Sequence, residues 1–144
     1  MPSSFTALHV HVIFSTKERF PWIKSAWRER LYGFLTTILL ERGVTPLAIG
    51  GMPDHIHLLL KLKPIHAPAD VVRELKSVSS KWIRDERLEP IFGWQDGYGA
   101  FSVSPSNLET VCRYIENQEE HHRIHSAEEE FRNFLKKAGI TDSP

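Results

Sequence analysis

Residues 44–62, VTPLAIGGMPDHIHLLLKL, are two apolar runs around a short polar and glycine-rich break. Val44 to Ile49 is apolar and β-prone, Gly50-Gly51-Met52-Pro53-Asp54 reads as a turn, and His55 to Leu62 is a second apolar run. Two such runs around a turn predict a β-hairpin, with a bulge at the glycines. Alternate side chains of a strand share a face. His55 and His57 therefore point the same way, as two ligands of one metal must.

Working outward, Leu8 to Phe14 reads as a strand that precedes the hairpin, closed by the polar residues 15–19. Ser25 to Arg42 has helical apolar spacing, with Trp27, Leu31, Phe34, Leu35 and Ile38 on one face, Ser25 as cap and Gly43 as stop. Ala69 to Glu86 predicts a second helix, with Val72, Leu75, Val78 or Ser79, and Trp82 inward. Residues 88–100 read as loop, and Phe101 to Ser104 as a short fourth strand. A third helix, capped by Ser106 or Asn107, carries both Tyr114 and Gln118. Ala127 to Ala138 is a final short helix. Four strands with two crossover helices predict an α+β fold, a ferredoxin-like β-α-β-β-α-β sandwich with an added C-terminal helix that bears the tyrosine. The 144 residues fit a single domain, 1–144.

Composition narrows the class. No signal-peptide pattern and no run long enough for a membrane span occur, and Cys112 is the single cysteine. A reducing cytoplasm is the expected setting, with Cys112 as a small buried residue rather than a reactive thiol. Net charge is zero, but residues 1–87 hold 13 Lys+Arg against 8 Asp+Glu, and residues 88–144 hold 5 against 10. Such a dipolar chain can carry a local basic surface. Lys17 and Arg19, together with Arg73, Lys76, Lys81 and Arg84 on the second helix, supply cations. Trp94 and Tyr98, in a glycine-rich loop, supply aromatic rings. Cations plus aromatics are what single-stranded nucleic acid needs. A solvated helix face and a satellite hydrophobic cluster are the plainer readings.

Neutral imidazoles at His55 and His57 suit Zn, Mn, Fe or Ni, and an oxygen ligand tilts the choice towards harder ions. Gln118 could give that oxygen. Tyr114, four residues earlier, lies on the same helical face. A phenol is a poor nucleophile at its ordinary pKa, so its target needs a Lewis acid. Tyr114 could instead be an amphipathic core residue beside Val111 and Ile115. His9 and His11 form a second pair, read as structural or DNA-facing. His121, His122 and His125 are read as a polar helix end, with a proton relay as the alternative.

Five stretches carry a resemblance: HVIFSTK (11–17), DHIHLL (54–59), LKSVSS (75–80), WQDGYGAF (94–101) and YIENQEEHH (114–122). In this order they resemble the single-tyrosine HUH-type transposases of the smallest insertion sequences, the IS200-like family. The resemblance implies a homodimer that acts on single-stranded DNA with hairpins. It implies that His55, His57 and Gln118 bind Mg²⁺ or Mn²⁺ and that Tyr114 forms a 5′-phosphotyrosine. It also implies sites often shared between subunits, and no nucleotide cofactor. Two other readings are a domesticated relative that binds hairpins and a metal-dependent hydrolase of small phosphate esters.

Overall fold

The computed structural model describes residues 4–123 and 126–140. Its strands are β1 (Leu8–Ser15), β2 (Thr45–Met52), β3 (His55–Leu62) and β4 (Gly99–Ser102). Its helices are α1 (Ser25–Glu41), α2 (Pro68–Asp85), α3 (Leu108–Glu116), α4 (Gln118–His122) and α5 (Ala127–Lys137). The sheet is antiparallel with order β2-β3-β1-β4, the ferredoxin-like arrangement that the element order predicts.

The two faces of the sheet have separate tasks. Val12 and Phe14 of β1 and Ile56, Leu58 and Leu60 of β3 pack with Trp27, Leu31 and Leu35 of α1 and Leu75 and Ile83 of α2. This is the main core. Phe34 of α1 is only half-buried and stacks on Trp82 of α2, ring centroids 4.5 Å apart. The other face carries His11, Ile13, His57 and Leu59, which are cross-strand neighbours on β1 and β3. There Leu59, Ala48 and Ile115 form a smaller core with α3. Because helices cover both faces, β3 is buried along nearly its whole length.

Boundaries depart from the sequence reading for local reasons. Gly50 and Gly51 lie inside β2, and the hairpin turn is only Pro53-Asp54. The bulge falls instead between Pro46 and Ala48 of this edge strand, where a proline without an N–H is tolerated. A Cβ on Gly50 would lie 2.0 Å from the Ile115 carbonyl oxygen, so the glycine lets the end of α3 lie directly on the sheet. Gly50→Ala is expected to destabilise the fold by about 1–3 kcal/mol through overpacking. Thermal unfolding checks it, and an unchanged midpoint would mean that α3 shifts freely. Ser25 does not cap α1: Lys24 holds the cap position and no side chain caps it, while Gly43, at φ 78°, ends the helix as expected. Ser79, not Val78, faces inward on α2. β4 begins at Gly99, earlier than predicted, because Gly99 pairs with Ile13. The tyrosine helix is two pieces, broken at Asn117. Cys112 is half-buried. Among the described residues no helix is long and apolar enough to cross a membrane.

Candidate active site

His55 and His57 are almost fully buried on the α3 face of β3, with ring centroids 5.1 Å apart. Each ring is held by its other nitrogen. His55 Nδ1–H donates to Asp54 Oδ1 at 2.7 Å. This leaves Nε2 as a bare lone pair, and that atom is buried without a hydrogen-bond partner. His57 is bracketed by two groups. Its Nδ1 accepts from His11 Nε2–H at 2.8 Å, and its Nε2–H donates to Glu130 Oε1 at 2.8 Å. Such outer contacts fix the tautomer and orientation of a ligand ring. His11 is itself an imidazole, so it can donate to His57 or accept from it.

Burial, reinforced by the neighbouring His57, lowers the His11 pKa to about 3. Burial likewise lowers that of His57, against the opposing pull of Glu130. Both rings are therefore neutral at pH 7. An unfolded His11 titrates near 6.5, so on acidification the unfolded chain takes up a proton that the folded chain refuses. That part of the stability is complete above about pH 6.5 and is lost as pH falls towards 3, by up to about 1.4 kcal/mol per pH unit. Urea unfolding at about pH 6.5 and about pH 4.5 checks this. His11→Gln is expected to flatten the fall, and an equally steep fall in that variant would assign it elsewhere.

Glu130 is the centre of the site, and the sequence reading missed it. Only 4 % of the residue is exposed, on α5. Its Oε1 meets His57, and lies 3.6 Å from His55 Nε2. Its Oε2 accepts the hydroxyl hydrogen of Tyr114 and lies 3.2 Å from His121 Nε2 and 3.4 Å from His122 Nε2. Burial alone would raise the carboxyl pKa. The hydrogen bonds that the carboxylate accepts from His57 and then from Tyr114 outweigh that and lower it to about 2. The phenol responds oppositely: burial, then the carboxylate, pushes the Tyr114 pKa far above its usual value.

Tyr114 therefore reaches the histidines within one chain, its ring 5.8 Å from that of His57. Phe134 of α5 closes over His11 and Tyr114. Gln118 is buried one turn on, its Nε2–H donating to the Tyr114 carbonyl at 3.1 Å. Its Oε1 accepts from His122 Nε2–H at 3.1 Å, and the His122 ring lies 4.9 Å from that of His55. Ligand atoms of His55, His122 and Glu130 all fall within 4.8 Å of one another. His125 lies outside the described residues. Glu130 was hidden because it belongs to the run Glu128-Glu129-Glu130 in the first turn of a helix capped by Ser126. Acids are ordinary there.

The cations divide sharply. Arg19 lies at the end of β1, pairs with Asp54 at 3.4 Å, and lines a cavity of about 210 Å³ with His55, Glu130, Tyr98 and Phe131. Lys17 is exposed on the same short turn. The α2 cations belong to the helical layer on the opposite face of the sheet. There Lys76 donates to the carbonyls of Gln95 and Gly97, and Arg84 to that of Phe92. Both brace the 92–97 loop. Arg73 and Lys81 are exposed and pair with Asp70 and Asp85 of their own helix. Trp94 is half-buried, packed edge-on against Phe14 and Phe92 with its Nε1–H on Ser79 Oγ. A groove lined by Arg73, Lys76, Trp94 and Tyr98 shares residues 96–98 with the cavity beside His55.

Comparison with known proteins identifies the fold and the family. The chain is 30% identical over 117 residues to the ISDra2 transposase TnpA of Deinococcus radiodurans, covering 77% of this chain and 84% of that one. A crystal structure of a Deinococcus radiodurans R1 protein described as a transposase superposes with TM-score 0.67 at 28% identity, covering 82% of this chain and 95% of the other. A REP-associated tyrosine transposase bound to a REP hairpin shares the fold, with TM-score 0.58, 14% identity, and 80% and 68% coverage. The sequence model of the IS200-like transposases matches residues 4–118, from before β1 to Gln118, and the chain belongs to that family.

Proposed function

We propose that the chain is a metal-assisted DNA strand transferase that cleaves and rejoins single-stranded DNA at hairpin-marked element ends. The observation that carries this reading is the convergence of Tyr114, His57 and His55 on one buried carboxylate, that of Glu130. A divalent ion fits the donors present. His55 Nε2 is a buried lone pair facing a carboxylate oxygen, two acceptors with no proton between them. His55, His57 and Gln118 would hold Mg²⁺ or Mn²⁺, which supplies Lewis-acid polarisation of the scissile phosphate.

The chain's own residues do the rest. Tyr114 oxygen attacks phosphorus, the bond from phosphorus to the 3′ oxygen breaks, and a 3′-hydroxyl leaves with a proton. A 3′-hydroxyl attacking the 5′-phosphotyrosine reverses these changes, so the bond energy is retained and no nucleotide is consumed. Glu130 holds the phenol hydrogen and so keeps the tyrosine oxygen on the carboxylate that also meets His57 and faces His55. Lys17 and Arg19 neutralise phosphates beside the site. The strand then crosses residues 96–98 into the groove of Arg73, Trp94 and Tyr98, which Lys76 and Arg84 support by bracing the 92–97 loop, with Lys81 further along α2. The reading includes a homodimer, which sedimentation tests.

The test is incubation with Mg²⁺ or Mn²⁺ and single-stranded DNA carrying an imperfect hairpin, followed by a denaturing gel. The hairpin bound by the structural neighbour makes that substrate the first to try. A covalent protein–DNA band supports the reading. Tight binding without that band, in several metals and on both strands, would replace it with a domesticated, non-catalytic hairpin-binding protein.

A further inference from the structure

The family match stops at Gln118, yet the residue at the centre of the site, Glu130, lies beyond it on α5. Three observations define what this carboxylate faces. His55 Nε2 has no hydrogen-bond partner, its side chain is 3 % exposed, and it lies 3.6 Å from Glu130 Oε1. In the neutral ring Asp54 holds the His55 proton on the far nitrogen, and the near one is then a lone pair. A lone pair and a carboxylate at that distance repel each other, and either a second proton on the ring or a metal cation relieves the repulsion. The same Oε1 meets the second imidazole, His57 Nε2, at 2.8 Å. The cavity lined by His55, Glu130 and Arg19 opens an entry path beside these atoms.

We infer that Glu130 is a direct ligand of the divalent cation, its Oε1 completing the site begun by Nε2 of His55 and His57. The other oxygen, Oε2, keeps the Tyr114 hydroxyl, so one carboxylate spans cation and nucleophile and sets the distance between them. His57 Nε2 must then release its proton and carry one on Nδ1 instead. His11 Nε2 lies 2.8 Å away to accept it. Two imidazoles and a carboxylate are a donor set suited to Mn²⁺. This assignment rests on the reading of the site proposed above and adds to it a ligand from a helix outside the family match.

The test is titration with Mn²⁺ alone, followed by the electron paramagnetic resonance signal of the free ion, on the full chain and its Glu130→Gln, Glu130→Asp and His57→Ala variants. Thermal unfolding of each confirms the fold. Glu130→Gln is expected to weaken Mn²⁺ binding by at least about tenfold. Equal or tighter binding in that variant overturns the inference, because the carboxylate would then only fill the place of the ion and leave when it enters. Should Glu130→Gln fail to fold, Glu130→Asp decides. This variant keeps the charge but shortens the reach, so a loss of about tenfold supports ligation and an unchanged affinity refutes it. His57→Ala separates the two readings. Binding lost there but intact in Glu130→Gln sinks only the glutamate ligand, whereas binding intact in His57→Ala sinks the metal site itself.

Discussion

Tyr114→Phe is expected to abolish the covalent DNA adduct and to lower strand cleavage by roughly 10⁴-fold or more, the scale on which removal of a nucleophile acts. The substitution takes away the attacking oxygen and little else. The ring keeps its contacts with Phe134 and His121, at 5.5 and 4.9 Å between centroids. Glu130 keeps its hydrogen bond from His57. The loss in stability should therefore be only about 1 kcal/mol, that of one hydrogen bond to a group that retains other partners. Hairpin binding should persist, since none of the proposed DNA contacts is touched. A denaturing gel reads the adduct and thermal unfolding reads the fold. Persistent adduct in the variant would move the nucleophile to another residue, and persistent cleavage without adduct would point to water.

His55→Ala and His57→Ala are expected to agree in activity and to differ in stability. Both remove a nitrogen from the proposed cation site, so both should lose metal-dependent cleavage by several orders of magnitude. Their neighbours differ. His57 lies between His11 and Glu130, is 0 % exposed, and satisfies both. Deleting it leaves a buried carboxylate without its main partner and a cavity beside it, a loss of about 3–5 kcal/mol. Deleting His55 removes an unpaired lone pair that faces the same carboxylate. That relief offsets part of the lost packing, so the loss should be clearly smaller. Unfolding in denaturant without metal measures the difference, and equal losses would mean that the contact between His57 and Glu130 contributes little. Mixing His57→Ala with Tyr114→Phe protein extends the test. Tyrosine and histidines meet within one chain here, so no recovery of cleavage is expected despite subunit exchange. Recovery would require the tyrosine helix to pass between subunits.

Much of this molecule is written in local patterns. The β-prone run of β1, the apolar run of β3 and the 3.6-residue spacing of α1 and α2 specify the elements, and their order specifies the split β-α-β sandwich. The same-face rule for a strand placed His55 beside His57, and helical spacing placed Gln118 one turn from Tyr114. Where local rules failed, a distant group decided. Gly50 and Gly51 resemble a turn by composition, but the carbonyl of Ile115 requires a glycine on the strand beneath it. Lys76 and Arg84 look like free cations on a helix, but the 92–97 loop uses both as braces. His11 reads as half of a second, structural or DNA-facing pair with His9 until the register of β1 against β3 sets it diagonally across from His57. Glu130 carries no local mark at all, being one of three successive acids in a helix first turn. Strands, helices and the paired histidines are legible along the chain, because periodicity is a property of neighbouring residues. That a carboxylate 73 positions from His57 joins the histidines to the tyrosine emerges only once the chain is folded, because that contact depends on how α5 packs against the sheet.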